Sequence, residues 1–162
     1  MGQIVNLARV LVNALAVLGV LSYGAAAIVT VVDVIGRKVG FPIRGVVDLV
    51  QLFVVTGAWL VIPFAFMTAA HVSVDFLLDI LPLPLRVPLR IFAAVLALGL
   101  VSLMLWQGFR TFETRTMFGD KSQQLGIPIA WYWYPLLAGM AASLIAILAG
   151  LFSTLKGEMN HE

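Results

Sequence analysis

Residues 10–32 read VLVNALAVLGVLSYGAAAIVTVV, and this stretch decides the fold. It runs from Arg9 to Asp33 without a single charged side chain. A continuous apolar run of this length crosses a hydrocarbon core of roughly 30 Å as one helix. Ala25-Ala26-Ala27 imitates the cleavage site of a secretory signal, but the apolar run continues past it to Val32, so the segment reads as a retained span. Working outward, the chain is again free of charge between Asp48 and His71, between Arg90 and Arg110, and between Lys121 and Lys156. These stretches are continuously apolar, whereas the strands of membrane barrels are shorter and alternate. Backbone amides find no water in lipid, so the helix is the forced solution.

The expectation is an all-α membrane protein with four transmembrane helices and an interfacial amphipathic segment between helices 2 and 3. The helices are placed at about 8–32, 46–70, 89–112 and 129–155. Residues 71–88 form the interfacial connection, 156–162 a polar tail, and 1–162 a single membrane domain.

Composition agrees. Hydrophobic residues make up 62% of the chain and charged residues 11%, where a soluble domain carries roughly 25% charged residues. The excess apolar surface requires the phospholipid bilayer as its solvent. A net charge of +2 with scattered cations gives no basic patch for nucleic acid. The chain has no cysteine, which removes disulfides, thiol redox chemistry and Cys-ligated metal.

Within the spans, Pro63 predicts a kink in helix 2. Trp131, Tyr132, Trp133 and Tyr134 open helix 4 and place that end in a headgroup layer. Ala138, Ala142, Ala146 and Gly150 recur four apart, with Gly139 and Ser143 on the neighbouring row, and this spacing allows close helix packing.

The connections hold the charge. Residues 33–48 read DVIGRKVGFPIRGVVD, with Gly36, Gly40 and Pro42 as helix breakers. Asp33 and Arg37 are four apart, as are Arg44 and Asp48, so each pair is expected to close on one helix face. Alternatively the stretch is a solvated loop whose cations meet headgroups. Residues 71–90 read HVSVDFLLDILPLPLRVPLR. Phe76, Leu77, Ile80 and Leu81 share one side of a short helix and Asp75 and Asp79 another, which describes a segment lying in the interface and ended by Pro82 and Pro84. In the third connection Gly126 and Pro128 suit a turn into helix 4.

Chemistry is sparse. The middles of all four helices lack Asp, Glu, Lys, Arg and His, the groups with which a self-sufficient transporter handles ions at membrane depth. Thr56 and Ser102 are the nearest polar groups. His71 and His161 cannot face each other across a haem, and His71 with Asp75 lacks further metal ligands. Met67, Met104 and Met140 read as packing. No phosphate-binding loop or nucleophile–base pair occurs. No catalysis and no cofactor are expected.

Several residues together resemble the small membrane subunit, DctQ-like, of tripartite ATP-independent periplasmic (TRAP) transporters. They are Asp33 and Arg37 with Phe41-Pro42, then Asp48 opening helix 2, then Ala70-His71-Val72-Ser73-Val74-Asp75. Ser122 with Leu125-Gly126-Ile127-Pro128 and the aromatic run before Pro135 complete the set. The resemblance extends from helix 1 to helix 4. It departs at Asp48, conservatively, where the family commonly has an acidic residue that is often Glu, and near Ser73, where the family commonly has a basic residue.

The resemblance implies a scaffold role and no enzymatic activity. The partners it implies are a large permease subunit (DctM-like), which moves an organic acid with sodium, and a transient periplasmic substrate-binding protein (DctP-like). Asp33, Arg37, Arg44, Asp48, His71, Asp75, Trp131 and Trp133 would anchor the ends at the subunit contact or the membrane surface. The implied location is the bacterial inner membrane with both termini cytoplasmic. The positive-inside rule leans weakly the other way: Arg37, Lys38, Arg44, Arg110, Arg115 and Lys121 lie opposite the termini, against Arg9, Arg86, Arg90 and Lys156 beside them. Two other readings use the same spans: a self-contained carrier or channel, and a membrane anchor subunit of a redox enzyme holding haem or quinone. Flux from the chain alone would mark the first, and a haem absorbance band the second.

Overall fold

The computed structural model describes residues 2–69 and 83–159. These form four helices in chain order: α1 (Gly2–Lys38), α2 (Val46–Ala69), α3 (Leu83–Met117) and α4 (Ala130–Met159). All four contain a segment long and apolar enough to cross a membrane. The chain is a multi-pass, all-helical membrane protein, and no strand occurs among the described residues.

The helices run past their charge-free stretches. At 37 and 35 residues, α1 and α3 are about 56 and 52 Å long at 1.5 Å per residue. A charge ends the lipid-compatible stretch but not the helix, because water supports intrahelical hydrogen bonds as well. Arg37 and Lys38 thus sit in the last turn of α1, where cations complement the helix dipole. At its other end, α3 takes in Leu83–Pro88, the last part of the expected interfacial connection. Pro84, expected to end that segment, stands in the first turn of α3, where its missing N–H has no intrahelical role. The remainder of the amphipathic segment, including Phe76, Leu77, Asp79 and Ile80, lies outside the described residues.

The bundle has an order. α1 packs on α2, α2 on α4, and α4 on α3, with a smaller contact between α1 and α4. Among the described residues α3 touches no helix but α4. Long apolar faces on α1 and α3 therefore point outward, carrying exposed Val17, Leu21 and Ile28 on the first and Leu96, Leu100 and Leu103 on the second.

Two close approaches set the packing. Where α1 meets α2, a side chain on Gly19 would strike Gly57 O and Val61, and one on Gly57 would strike Tyr23 and Gly19 O. Beside this crossing the Ser22 hydroxyl donates to Phe53 O across the helices at 2.8 Å. Where α2 meets α4, Gly139 lies against the backbone of Trp59. Buried Pro63 stands four residues after Trp59 and has no N–H to give that carbonyl. The proline thus leaves a carbonyl without its usual helical donor where α4 comes nearest, and only glycine leaves room for the approach.

Candidate functional site

Among the described residues the polar structure is concentrated at the end opposite the termini, where the α1–α2 and α3–α4 connections meet. α1 ends in a Schellman motif: Phe41 N–H bonds to Gly36 O at 2.8 Å, and Gly40 takes a positive φ of 85°. α3 ends likewise. Asp120 N–H bonds to Arg115 O at 3.2 Å, with Gly119 at φ 66°. The chain then forms a short hairpin, in which Ser122 N–H bonds to Ile127 O, Ile127 N–H bonds to Ser122 Oγ, and Ile129 N–H bonds to Asp120 O. The first of these bonds is 2.8 Å and the other two are 2.9 Å.

Two buried carboxylates fasten these connections. Asp33 accepts Arg37 Nε–H at 2.7 Å and Ile43 N–H at 2.9 Å, which folds the α1–α2 turn back on α1. Asp48, in the first turn of α2, accepts Gln124 N–H at 2.9 Å and Leu125 N–H at 2.7 Å. The Tyr132 hydroxyl donates to Asp48 O at 2.9 Å. One residue of α2 therefore holds the tip of the hairpin and the start of α4. Leu125 packs directly over Gly45, which adopts φ 73°, so both the backbone conformation and the contact exclude a side chain there.

The Asp33–Arg37 pair forms as its spacing suggests, but Arg44 and Asp48 do not pair. α2 begins only at Val46, and the left-handed turn at Gly45 takes Arg44 off the helix face. The four-residue spacing therefore carries no geometric meaning there. Arg44 is exposed and has no ion-pair partner among the described residues. His71 and Asp75 lie outside the described residues.

Trp131 is exposed and meets Tyr134 edge to face at 6.4 Å, whereas Trp133 is half-buried. On α4, Gly139, Ala142, Ser143 and Ala146 are buried, Gly150 is half-buried and Ala138 is exposed. Sequence reasoning did not single out Gly19, Ser22, Gly45, Gly57 or the hydroxyl of Tyr132. For Gly45 the signal was present, a glycine directly before an apolar helix. The others are visible only once the partner helix is known.

The arrangement is a clasp. Both carboxylates are occupied by donors of this chain, and no group of three or more potential ligands for a metal ion occurs among the described residues.

Comparison with known families decides what the clasp belongs to. The family model described as the DctQ component of tripartite ATP-independent periplasmic transporters matches residues 26–157, most of the chain. The chain belongs to the DctQ family. No curated protein matches it closely enough to be counted a relative. The matched region begins within α1 and contains the whole clasp, from Asp33 to Tyr132. DctQ chains are the small subunits of TRAP transporters, and components of this family function with DctM and DctP partners.

Proposed function

We propose that this DctQ subunit is a fixed scaffold, packing against the immobile part of a DctM-like permease while the permease carries an organic acid with sodium, delivered by a DctP-like binding protein. The observation that carries this reading is the division of the molecule. Among the described residues the spans hold no Asp, Glu, Lys, Arg or His at mid-bilayer depth, while broad apolar faces on α1 and α3 lie uncovered. A carrier needs polar groups at depth, whereas a scaffold needs area in the membrane and a rigid end. The clasp supplies rigidity by tying α1, α2 and α4 together at one membrane surface.

In this reading the clasp end faces the periplasm, both termini face the cytoplasm, and the membrane is the bacterial inner membrane. Asp33, Arg37 and Asp48 shape the end. Arg44, free of an ion pair among the described residues, contacts partners or headgroups. His71 and Asp75 anchor the opposite side. Gly139, Ala142, Ser143 and Ala146 pack within the subunit, and Ala138 faces out.

Co-purification tests the proposal. A tagged chain should bring down the large permease subunit in stable stoichiometry, and reversing the charge of Arg44 should weaken the complex or its uptake. Recovery of the permease in an assembled, active form without this chain would count against the scaffold role.

A further inference from the structure

Two sides of α3 differ. Val101, Gly108 and Phe112 face α4: Val101 is buried, Gly108 lies toward Leu136, Leu137 and Met140, and Phe112 meets Tyr134 at 5.7 Å. On the opposite side Leu96, Leu103, Trp106 and Arg110 follow one another at three- to seven-residue steps, all exposed. The Arg110 guanidinium lies over the Trp106 ring, 5.3 Å from its centroid. The Arg110 guanidinium has no hydrogen bond or ion pair among the described residues. By contrast, nearby Arg115 is bound to Asp120 at 3.0 Å. Thr111 and Thr114 beside Arg110 spend their hydroxyl protons on their own helix, on Gln107 O and Arg110 O.

We propose that this outer face of α3 is a binding site for an anionic phospholipid of the clasp-side leaflet. The order of chemistry along the helix matches that of a lipid. Arg110 offers unspent N–H donors in a planar fork suited to a phosphodiester. The indole below it fixes the guanidinium by cation–π contact at the depth where tryptophan prefers to sit. From Trp106 to Leu96 the helix descends about 15 Å, the depth of one leaflet, and offers Leu103 and Leu96 to an acyl chain. Charge complementarity selects an anionic headgroup over a zwitterionic one, since Arg110 is the one cation of this stripe. The inference needs only that the chain spans a membrane and stands independently of the scaffold role.

The test uses the full-length chain in lipid nanodiscs. With no native cysteine, Leu103→Cys provides a single site for a fluorophore, which is then quenched by phosphatidylglycerol or phosphatidylcholine carrying a spin label high on the acyl chain. At equal mole fraction, quenching by the phosphatidylglycerol should be about two- to fivefold stronger, the enrichment expected of one cation near the surface. Arg110→Gln should erase the difference, Arg110→Lys should keep part of it, and Lys38→Gln, the same charge change elsewhere at this end, should leave it intact. Excess inorganic phosphate should not compete, because it lacks the acyl chain. Equal quenching by the two lipids, a difference indifferent to Arg110→Gln, or a difference abolished by free phosphate would overturn the proposal. So would loss of all quenching in the complex with the permease, which would assign the face to protein.

Discussion

Asp48 and Leu125 stand 77 positions apart in the chain, yet the Asp48 carboxylate accepts the Leu125 N–H at 2.7 Å. This bond and its neighbour to Gln124 fix the α3–α4 hairpin on the first turn of α2. Asp48→Ala removes the acceptor and leaves two backbone donors to find water. The expected result is faster hydrogen exchange at Gln124 and Leu125 and lower recovery of the folded subunit, with exchange elsewhere in α3 little changed. Asp48→Asn keeps one acceptor oxygen and should fall between. Amide exchange read by mass spectrometry in detergent checks this, and protection at 124 and 125 that survives Asp48→Ala would remove the clasp from the account.

At the other connection the two bonds of Asp33 are unequal in weight. Its partner Arg37 is largely exposed, and exposed ion pairs contribute little. The bond to Ile43 N–H ties down the turn itself. Arg37→Ala should therefore leave thermal stability nearly unchanged, while Asp33→Ala should lower it and open residues 39–45 to proteolysis. Equal losses from both changes would mean that the ion pair, not the backbone bond, closes the turn.

Packing at the α2–α4 contact predicts a glycine requirement at one position and tolerance at another. A methyl group on Gly139 would overlap the Trp59 backbone, so Gly139→Ala should destabilise by about 1–3 kcal/mol as the helices shift to admit it. Gly99 of α3 faces open space, and Gly99→Ala should be neutral or stabilising by up to about 1 kcal/mol. Melting temperatures of the two variants in one detergent compare them directly.

The α1–α2 crossing makes a similar prediction at smaller scale. Ser22→Ala loses the hydroxyl bond to Phe53 O and should cost about 0.6 kcal/mol, the average for hydrogen bonds between membrane helices. Gly57→Val, which drives a branched side chain into Tyr23 and Gly19 O, should prevent stable folding. A Gly57→Val subunit with wild-type melting would refute the crossing.

The spans were legible because charge cannot be left in lipid, and four gaps in the charge pattern coincide with four helices. Their ends were less legible, since a helix continues into water without any change of composition that marks it, as α1 does to Lys38. Asp33 and Arg37 could be paired from spacing because both lie on one helix. Arg44 and Asp48 could not, because the turn at Gly45 intervenes. The bonds from Asp48 to residues 124 and 125 were beyond reach, since nothing local encodes a contact across that separation. On α4 two rows of small residues share the same four-residue period. Only the approach of Gly139 to the Trp59 backbone, with Ala138 left exposed, shows which row faces α2.

Substrate flux in proteoliposomes tests the scaffold role most directly. The subunit alone should give no sodium-driven uptake with any binding protein supplied, and adding the permease should restore it. Uptake by this chain in the absence of the permease would contradict the account.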